Sequence, residues 1–185
     1  MARTVGIGIQ SFEQIITNQY FYVDKTGFIK DWWENGDEVT LITRPRRFGK
    51  TLTLDMARRF FSVEYAQKGD LFKGTAIWNE ETYRPLQGAY PVISLSFSGI
   101  KASSYEECRI EICKAITKLY DQYWFLLDSG CLNSREQEAF RQVSMHMKEY
   151  QASDALQALS LFLSRYYKKK VLILLDEYDT PMHEA

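Results

Sequence analysis

The sequence predicts an α/β fold in which helices cover both faces of a parallel sheet. Three apolar segments have the length of buried strands, at residues 39–43, 90–97 and 171–175. Stretches with helical periodicity separate them, and strands that alternate with helices pair in parallel because each helix forms the crossover connection. The sequence therefore predicts a three-layer architecture, and the first and third strands each lead into a motif of charged residues.

The helices are expected in the intervals between these strands. In chain order they cover residues 28–35, 52–61, 104–127, 134–149 and 153–167. Gly36 ends the first of them, and Ser103 or Ser104 could cap the long third one, supported by acidic residues in its first turn. Residues 70–90 contain glycine and proline breakers, which predicts an irregular segment.

Composition excludes several classes of protein. The chain has 185 residues and a formal net charge of -1, which fits one well-buried domain and gives no general signal for nucleic acid or an anionic membrane. Cys108, Cys113 and Cys131 form no CxxC pair, and His146 and His183 are far apart, so a structural zinc site is not expected. Without a signal-peptide core or a membrane-length apolar run, a reduced, cytoplasmic setting is predicted.

The first strand leads into a loop that ends Gly49-Lys50-Thr51, and this is the end of the P-loop pattern GxxxxGK[ST]. In that pattern the glycine permits close backbone approach, the lysine reaches the β- and γ-phosphates, and the threonine is a magnesium ligand. Two residues depart from it, because Arg44 replaces the first glycine and Pro45 has no N–H to donate. The alternative is a cationic turn in which Gly-Lys-Thr occurs by chance.

The rest of the loop completes the predicted nucleotide-binding segment. Its further candidate phosphate-binding residues are Arg46, Arg47, Phe48 and Leu52. The arginines, with Arg44, could contact phosphate, act on a neighbouring subunit as an arginine finger, or pair with local acids. The positive end of the following helix would add to the attraction for phosphate.

The third strand ends in a second motif, Asp176-Glu177. An acid at the carboxyl end of a parallel strand lies where such sheets bind ligands. Beside a P-loop, Asp176 would hold magnesium, and Glu177 would orient and polarise the attacking water. Asp179 could support the loop or the outer shell of the metal. The alternative is that these acids only cap a strand and begin a solvated loop.

Three segments together resemble the bacterial AAA-ATPase-like family: Tyr22-Val-Asp-Lys-Thr26, Thr43-Arg-Pro-Arg-Arg-Phe-Gly-Lys-Thr51 and Leu175-Asp-Glu-Tyr-Asp-Thr-Pro181. The resemblance spans nearly the whole chain, and the family itself replaces the glycine at the position of Arg44. It implies a P-loop ATPase of the additional-strand class, with a sheet in the order 5-1-4-3-2. Many members carry a PD-(D/E)XK nuclease-like domain after the ATPase.

Against that sheet order the chain is expected to be C-terminally incomplete. It ends shortly after the third strand, so residues 1–185 would be the N-terminal part of a single domain without strands 4 and 5. The first and third strands would then close up, or another copy would fill the gap. The resemblance also places Asp24-Lys25-Thr26 where related ATPases contact the base, with a helix cap at Thr26 as the alternative.

The sequence and the resemblance together predict an ATP-binding module, Mg-dependent ATPase activity in the intact protein and coupling to a downstream effector. The alternative is a non-catalytic nucleotide-binding switch or an assembly module. The expected cofactors are ATP and magnesium. Candidate partners are further copies of the chain and a downstream nuclease-like domain, whereas DNA and membranes have no support in the sequence.

Overall fold

Two units, Met1–Tyr90 and Pro91–Ala185, make up the chain in the computed structural model, which describes residues 4–43, 45 and 48–180. The first contains helices α1 (Phe12–Thr17), α2 (Gly27–Asn35), α3 (Lys50–Phe61) and α4 (Ala76–Asn79), and 3-10 helices at Val63–Tyr65, Gly69–Phe72 and Glu81–Leu86. The second contains β1 (Val92–Ser96), α5 (Tyr105–Gln122), a 3-10 helix at Trp124–Leu127, α6 (Ser134–Arg141), α7 (Glu149–Tyr167) and β2 (Leu172–Asp176). The expected mixed α/β organisation is confirmed.

An aromatic cluster forms the core of the first unit. Phe12, Phe60 and Phe72 are fully buried, and the ring of Phe72 lies 5.1 Å from that of Phe12 and 5.0 Å from that of Phe60. Trp33 of α2 stacks on Phe61 of α3 at 5.6 Å. Edge-to-face and stacked rings add to the energy of apolar burial. This cluster therefore fixes α3, the helix that begins at the predicted phosphate loop.

The sheet of the second unit pairs β1 with β2 in parallel, in a register that runs from Val92 opposite Leu172 to Ser96 opposite Asp176. The hydroxyl of Tyr123 donates to the carbonyl of Val92 over 3.0 Å, which ties the start of β1 to the end of α5. These are the second and third predicted strands. Their pairing confirms the expected parallel sheet, which has these two strands in the described part of the chain.

The predicted strand at residues 39–43 is wrong. This segment is not assigned as a strand, and its apolar side chains Val39 and Leu41 are 87% and 61% exposed. A strand needs a neighbour for its backbone N–H and C=O groups, and no strand in the described part of the chain pairs with these residues. The indole N–H of Trp32 holds the segment by donating to the hydroxyl of Thr40 over 3.1 Å.

The predicted helices are confirmed with changed boundaries. α5 begins after Ser104, whose hydroxyl accepts from the amide of Glu107, so the second of the two predicted caps is used. The helix expected at 134–149 ends earlier, at Arg141. The segment 70–90 was expected to be irregular and instead contains α4 and 3-10 turns.

Glu136, in the first turn of α6, is held by Arg165 of α7. The guanidinium of Arg165 donates to both carboxylate oxygens over 2.9 and 2.8 Å, and the amide of Asn133 donates to one of them over 2.9 Å. The hydrogen bonds from Arg165 first, and that from Asn133 second, lower the pKa of Glu136 from 4.5 to about 2.

This ion pair gives the second unit an acid-sensitive contact. Because the pKa of Glu136 is lower in the folded than in the unfolded chain, the ion pair stabilises the folded state fully above about pH 4.5. This contribution to stability is lost as the pH falls through about 2. Glu136→Gln is expected to lower the free energy of unfolding at pH 7. The difference in this free energy between the variant and wild type should shrink as the pH falls from about 4.5 to about 2. Urea unfolding of both proteins at several pH values measures this, and a difference independent of pH would contradict it.

Candidate functional site

The loop before α3 turns at Gly49, which has a left-handed backbone with φ of +78° and forms the N-cap of the helix. The amide and the hydroxyl of Thr53 both donate to the carbonyl of Gly49 over 2.9 Å. Among the described residues no side chain caps this helix end, and the first turn of the helix contains no acid. The first-turn N–H groups therefore stay available at the positive end of the helix dipole, where an anion is favoured.

Lys50 and Thr51 occupy the first turn of α3 and are half-buried. A lysine at a helix N-terminus is placed against the helix dipole, and no carboxylate in the described part of the chain pairs with Lys50. The hydroxyl of Thr51 has no hydrogen-bond partner among the described residues, whereas that of Thr53 is used by the helix itself. The two groups predicted from the sequence to bind phosphate and metal are thus not engaged elsewhere in that part of the chain.

The other predicted phosphate-binding residues of the loop differ in their exposure to solvent. Phe48 is 61% exposed, and its amide donates to the carbonyl of Pro45 over 3.3 Å, while Leu52 is half-buried. The remaining loop residues predicted to contact phosphate lie outside the described residues; they are Arg44, Arg46 and Arg47.

Asp176 is the last residue of β2, half-buried and in register with Ser96 of β1. Its carbonyl accepts from the amide of Phe97 over 3.0 Å, so pairing continues to the end of both strands. Residues in register on neighbouring strands share a face of the sheet. Ser96 was missed by the sequence analysis. The sequence signal was the serine that ends the segment Val92-Ile-Ser-Leu-Ser96.

Glu177 follows with a left-handed backbone, φ +50°, which is uncommon for a residue with a side chain. Thr180 supports this turn: its amide donates to the carbonyl of Glu177 over 3.1 Å and its hydroxyl to the Glu177 carboxylate over 3.3 Å. Such backbone strain costs on the order of 1–3 kcal/mol and clusters at functional sites. The turn therefore holds the Glu177 carboxylate in a hydrogen bond with the Thr180 hydroxyl.

The segment of residues 22–26 forms a braced turn beside α4. The Asp24 carboxylate accepts from the amide and the hydroxyl of Thr26 over 2.8 and 2.7 Å, and from the amide of Ala76 over 2.7 Å. Burial raises the pKa of Asp24, but these hydrogen bonds together outweigh it and lower the pKa below its ordinary value. Thr26 is fully buried, and its hydroxyl also accepts from the amide of Ile77. Thr26 is the N-cap residue of α2, as the alternative predicted, but its side chain forms no capping hydrogen bond.

A metal held by protein groups alone is not indicated. Within residues 4–43, 45 and 48–180, no cluster of three or more His, Cys, Asp or Glu side chains could hold one. Magnesium is usually bound through one or two protein ligands together with substrate phosphates and water. Taken singly, the hydroxyl of Thr51 and the carboxylate of Asp176 are each an oxygen group of the kind that magnesium binds.

Comparison with known proteins identifies the class that these motifs define. Residues 6–185 match the family model described as Predicted AAA-ATPase, and the chain belongs to this AAA-ATPase-like family. Membership indicates a nucleotide-binding, ATPase-type function. A relative from Azotobacter chroococcum mcd 1, described as an uncharacterized protein in the vnfD 5' region, is 29% identical over 177 residues. That match covers 95% of this chain but only 29% of the relative.

No solved structure shows a significant match to the chain. Among the described residues, no helix is long and apolar enough to cross a membrane.

Proposed function

We propose that this chain is an ATP-binding P-loop module and that the protein to which it belongs hydrolyses ATP with magnesium. The observation that carries the proposal is the start of α3. There the left-handed Gly49, an uncapped first turn and a lysine without an acidic partner in the described part of the chain create a small region of positive potential. A phosphate would relieve the unfavourable position of Lys50 against the helix dipole. Family membership supports the same reading.

The roles of individual residues in this proposal follow from their chemistry. Lys50 binds phosphate, supported by backbone amides of the loop that ends at Gly49. Thr51 and Asp176 provide the protein ligands for magnesium. Magnesium would neutralise charge that develops on the phosphates. Glu177 accepts a hydrogen bond from the attacking water and orients it. The strained turn supported by Thr180 is consistent with a carboxylate held for such a role.

For the fold, we propose the three-layer P-loop architecture of the additional-strand class. The parallel neighbours β1 and β2 support it, because the second and third strands of that class are adjacent. That residues 1–185 form the N-terminal part of one such domain stays a prediction. Coupling to a downstream effector, whether a nuclease-like domain or another copy of the chain, rests on the resemblance alone.

The test is calorimetric titration of Mg·ATP into the wild-type chain and Lys50→Ala. Loss of a charge-assisted contact to phosphate is expected to weaken binding by about 100-fold. Lys101→Ala is the matched control, since this exposed lysine lies outside the loop. Equal affinity for wild type and Lys50→Ala, or no binding by either, would contradict the proposal.

A further inference from the structure

Lys25 lies directly against the phosphate loop. Its ammonium donates a hydrogen bond to the carbonyl of Phe48 over 3.2 Å. A Cβ atom built on Gly49 would stand 3.1 Å from the same nitrogen. The ammonium therefore hydrogen-bonds to Phe48 and lies beside Gly49, although Lys25 is 25 residues away from Lys50 in the sequence.

The backbone around Lys25 is held in place from both sides. The amide of Lys25 donates to the phenol oxygen of Tyr22 over 3.2 Å. Asp24 is fixed by its hydrogen bonds from Thr26 and Ala76, and Thr26 is fully buried. A lysine side chain is flexible, so a braced backbone limits the volume that its ammonium explores and lowers the entropy cost of a further contact.

The charge of Lys25 is not balanced by an acid in the described part of the chain. No carboxylate there forms an ion pair with it, and both oxygens of the adjacent Asp24 are occupied by Thr26 and Ala76. An ammonium has three N–H donors, and the Phe48 carbonyl uses one. The ammonium of Lys25 thus adds positive charge beside Gly49, next to the positive end of α3 and to Lys50, the following residue in the chain; an anion would stabilise this arrangement.

We propose that Lys25 is a second phosphate-binding lysine, which contacts the polyphosphate of the nucleotide from the other side of the glycine. The inference rests on the proposed function, since it concerns the same site. It assigns the conspicuous segment of residues 22–26 to phosphate rather than to the base: Asp24 and Thr26 brace the turn, and Lys25 carries the contact.

The test compares wild type with Lys25→Met, Lys25→Arg and Lys73→Met. Lys73 is an exposed lysine paired with Asp70, and it controls for loss of one positive charge. Titrations use Mg·ATP and, in competition with it, inorganic tripolyphosphate, which has no base or sugar. Lys25→Met is expected to weaken the binding of both ligands about 10- to 100-fold and to make the affinity for ATP less dependent on salt. The affinities of Lys25→Arg should lie between those of wild type and Lys25→Met, and those of Lys73→Met should equal those of wild type.

The possible results separate this inference from the proposed function. Wild-type affinity in Lys25→Met, combined with loss of binding in Lys50→Ala, overturns the role of Lys25 and leaves the P-loop assignment intact. Weaker ATP binding without weaker tripolyphosphate binding overturns it in favour of base contact. Equal losses of affinity in Lys25→Met and Lys25→Arg, with unchanged salt dependence, would show that Lys25 only supports the structure of the loop. That result overturns its phosphate-binding role as well. No nucleotide binding by wild type overturns both proposals.

Discussion

Glu177→Gln is expected to bind Mg·ATP like the wild-type protein and to hydrolyse it about 10²- to 10⁴-fold more slowly, the usual contribution of a positioned general base. Glutamine keeps the size of the side chain and an oxygen for the Thr180 hydroxyl, so the turn after β2 is preserved. It cannot accept a proton at neutral pH. The loss should therefore fall on turnover and not on affinity.

Phosphate release and retention of bound ATP, both measured on the intact protein to which the chain belongs, test this expectation. Glu149→Gln is the matched control, because Glu149 is an exposed acid at the start of α7. ATP that stays bound and unhydrolysed in Glu177→Gln supports an enzyme. If wild type and Glu177→Gln behave alike, the base assignment fails, and the alternative of a non-catalytic switch or an assembly module is favoured.

Phe60→Ala is expected to lower the free energy of unfolding by about 3–5 kcal/mol. Phe60 is fully buried in α3, in edge-to-face contact with Phe61 and Phe72. Truncation removes both the apolar burial and the ring contacts and leaves a cavity that stiff aromatic neighbours fill poorly. Because α3 begins at Lys50, the helix that follows the proposed phosphate loop should lose much of its support.

Urea unfolding followed by tryptophan fluorescence measures this effect, since Trp33 stacks on Phe61 within the same cluster. Phe60→Leu serves as the control: it keeps most of the apolar volume and should cost clearly less than the alanine variant. Near-equal stability of Phe60→Ala and wild type would show that the cluster does not support α3.

The helices and the paired strands could be predicted because their signals are local. The apolar faces of α3 and α5, the serine cap at Ser104 and the apolar run before Asp176 each need only neighbours in sequence. The segment at 39–43 has an equally good strand pattern and forms none. Strand formation depends on a partner for the backbone, which a local pattern does not report.

The same distinction applies to the candidate site. Gly49, Lys50 and Thr51 were identified from their spacing, and Asp176 and Glu177 from the strand before them. The contact between Lys25 and Phe48 was not foreseen, because it joins residues 23 apart in the chain, and a turn held by Asp24 brings them together. The left-handed backbone of Glu177 also has no sequence signal, since glutamate rarely adopts it.

The register between β1 and β2 has a kinetic consequence. The two strands come together only when the chain has closed a loop that contains α5, α6 and α7. Closing a long loop carries an entropy cost before any strand contact is made, whereas each helix can form from local contacts. We therefore expect strand pairing to be a late event in the folding of Pro91–Ala185. Asp176 and Glu177, at the end of β2, would reach their positions only in that last stage. A nascent or partly folded chain would therefore present the two carboxylates without the geometry that their proposed chemistry requires.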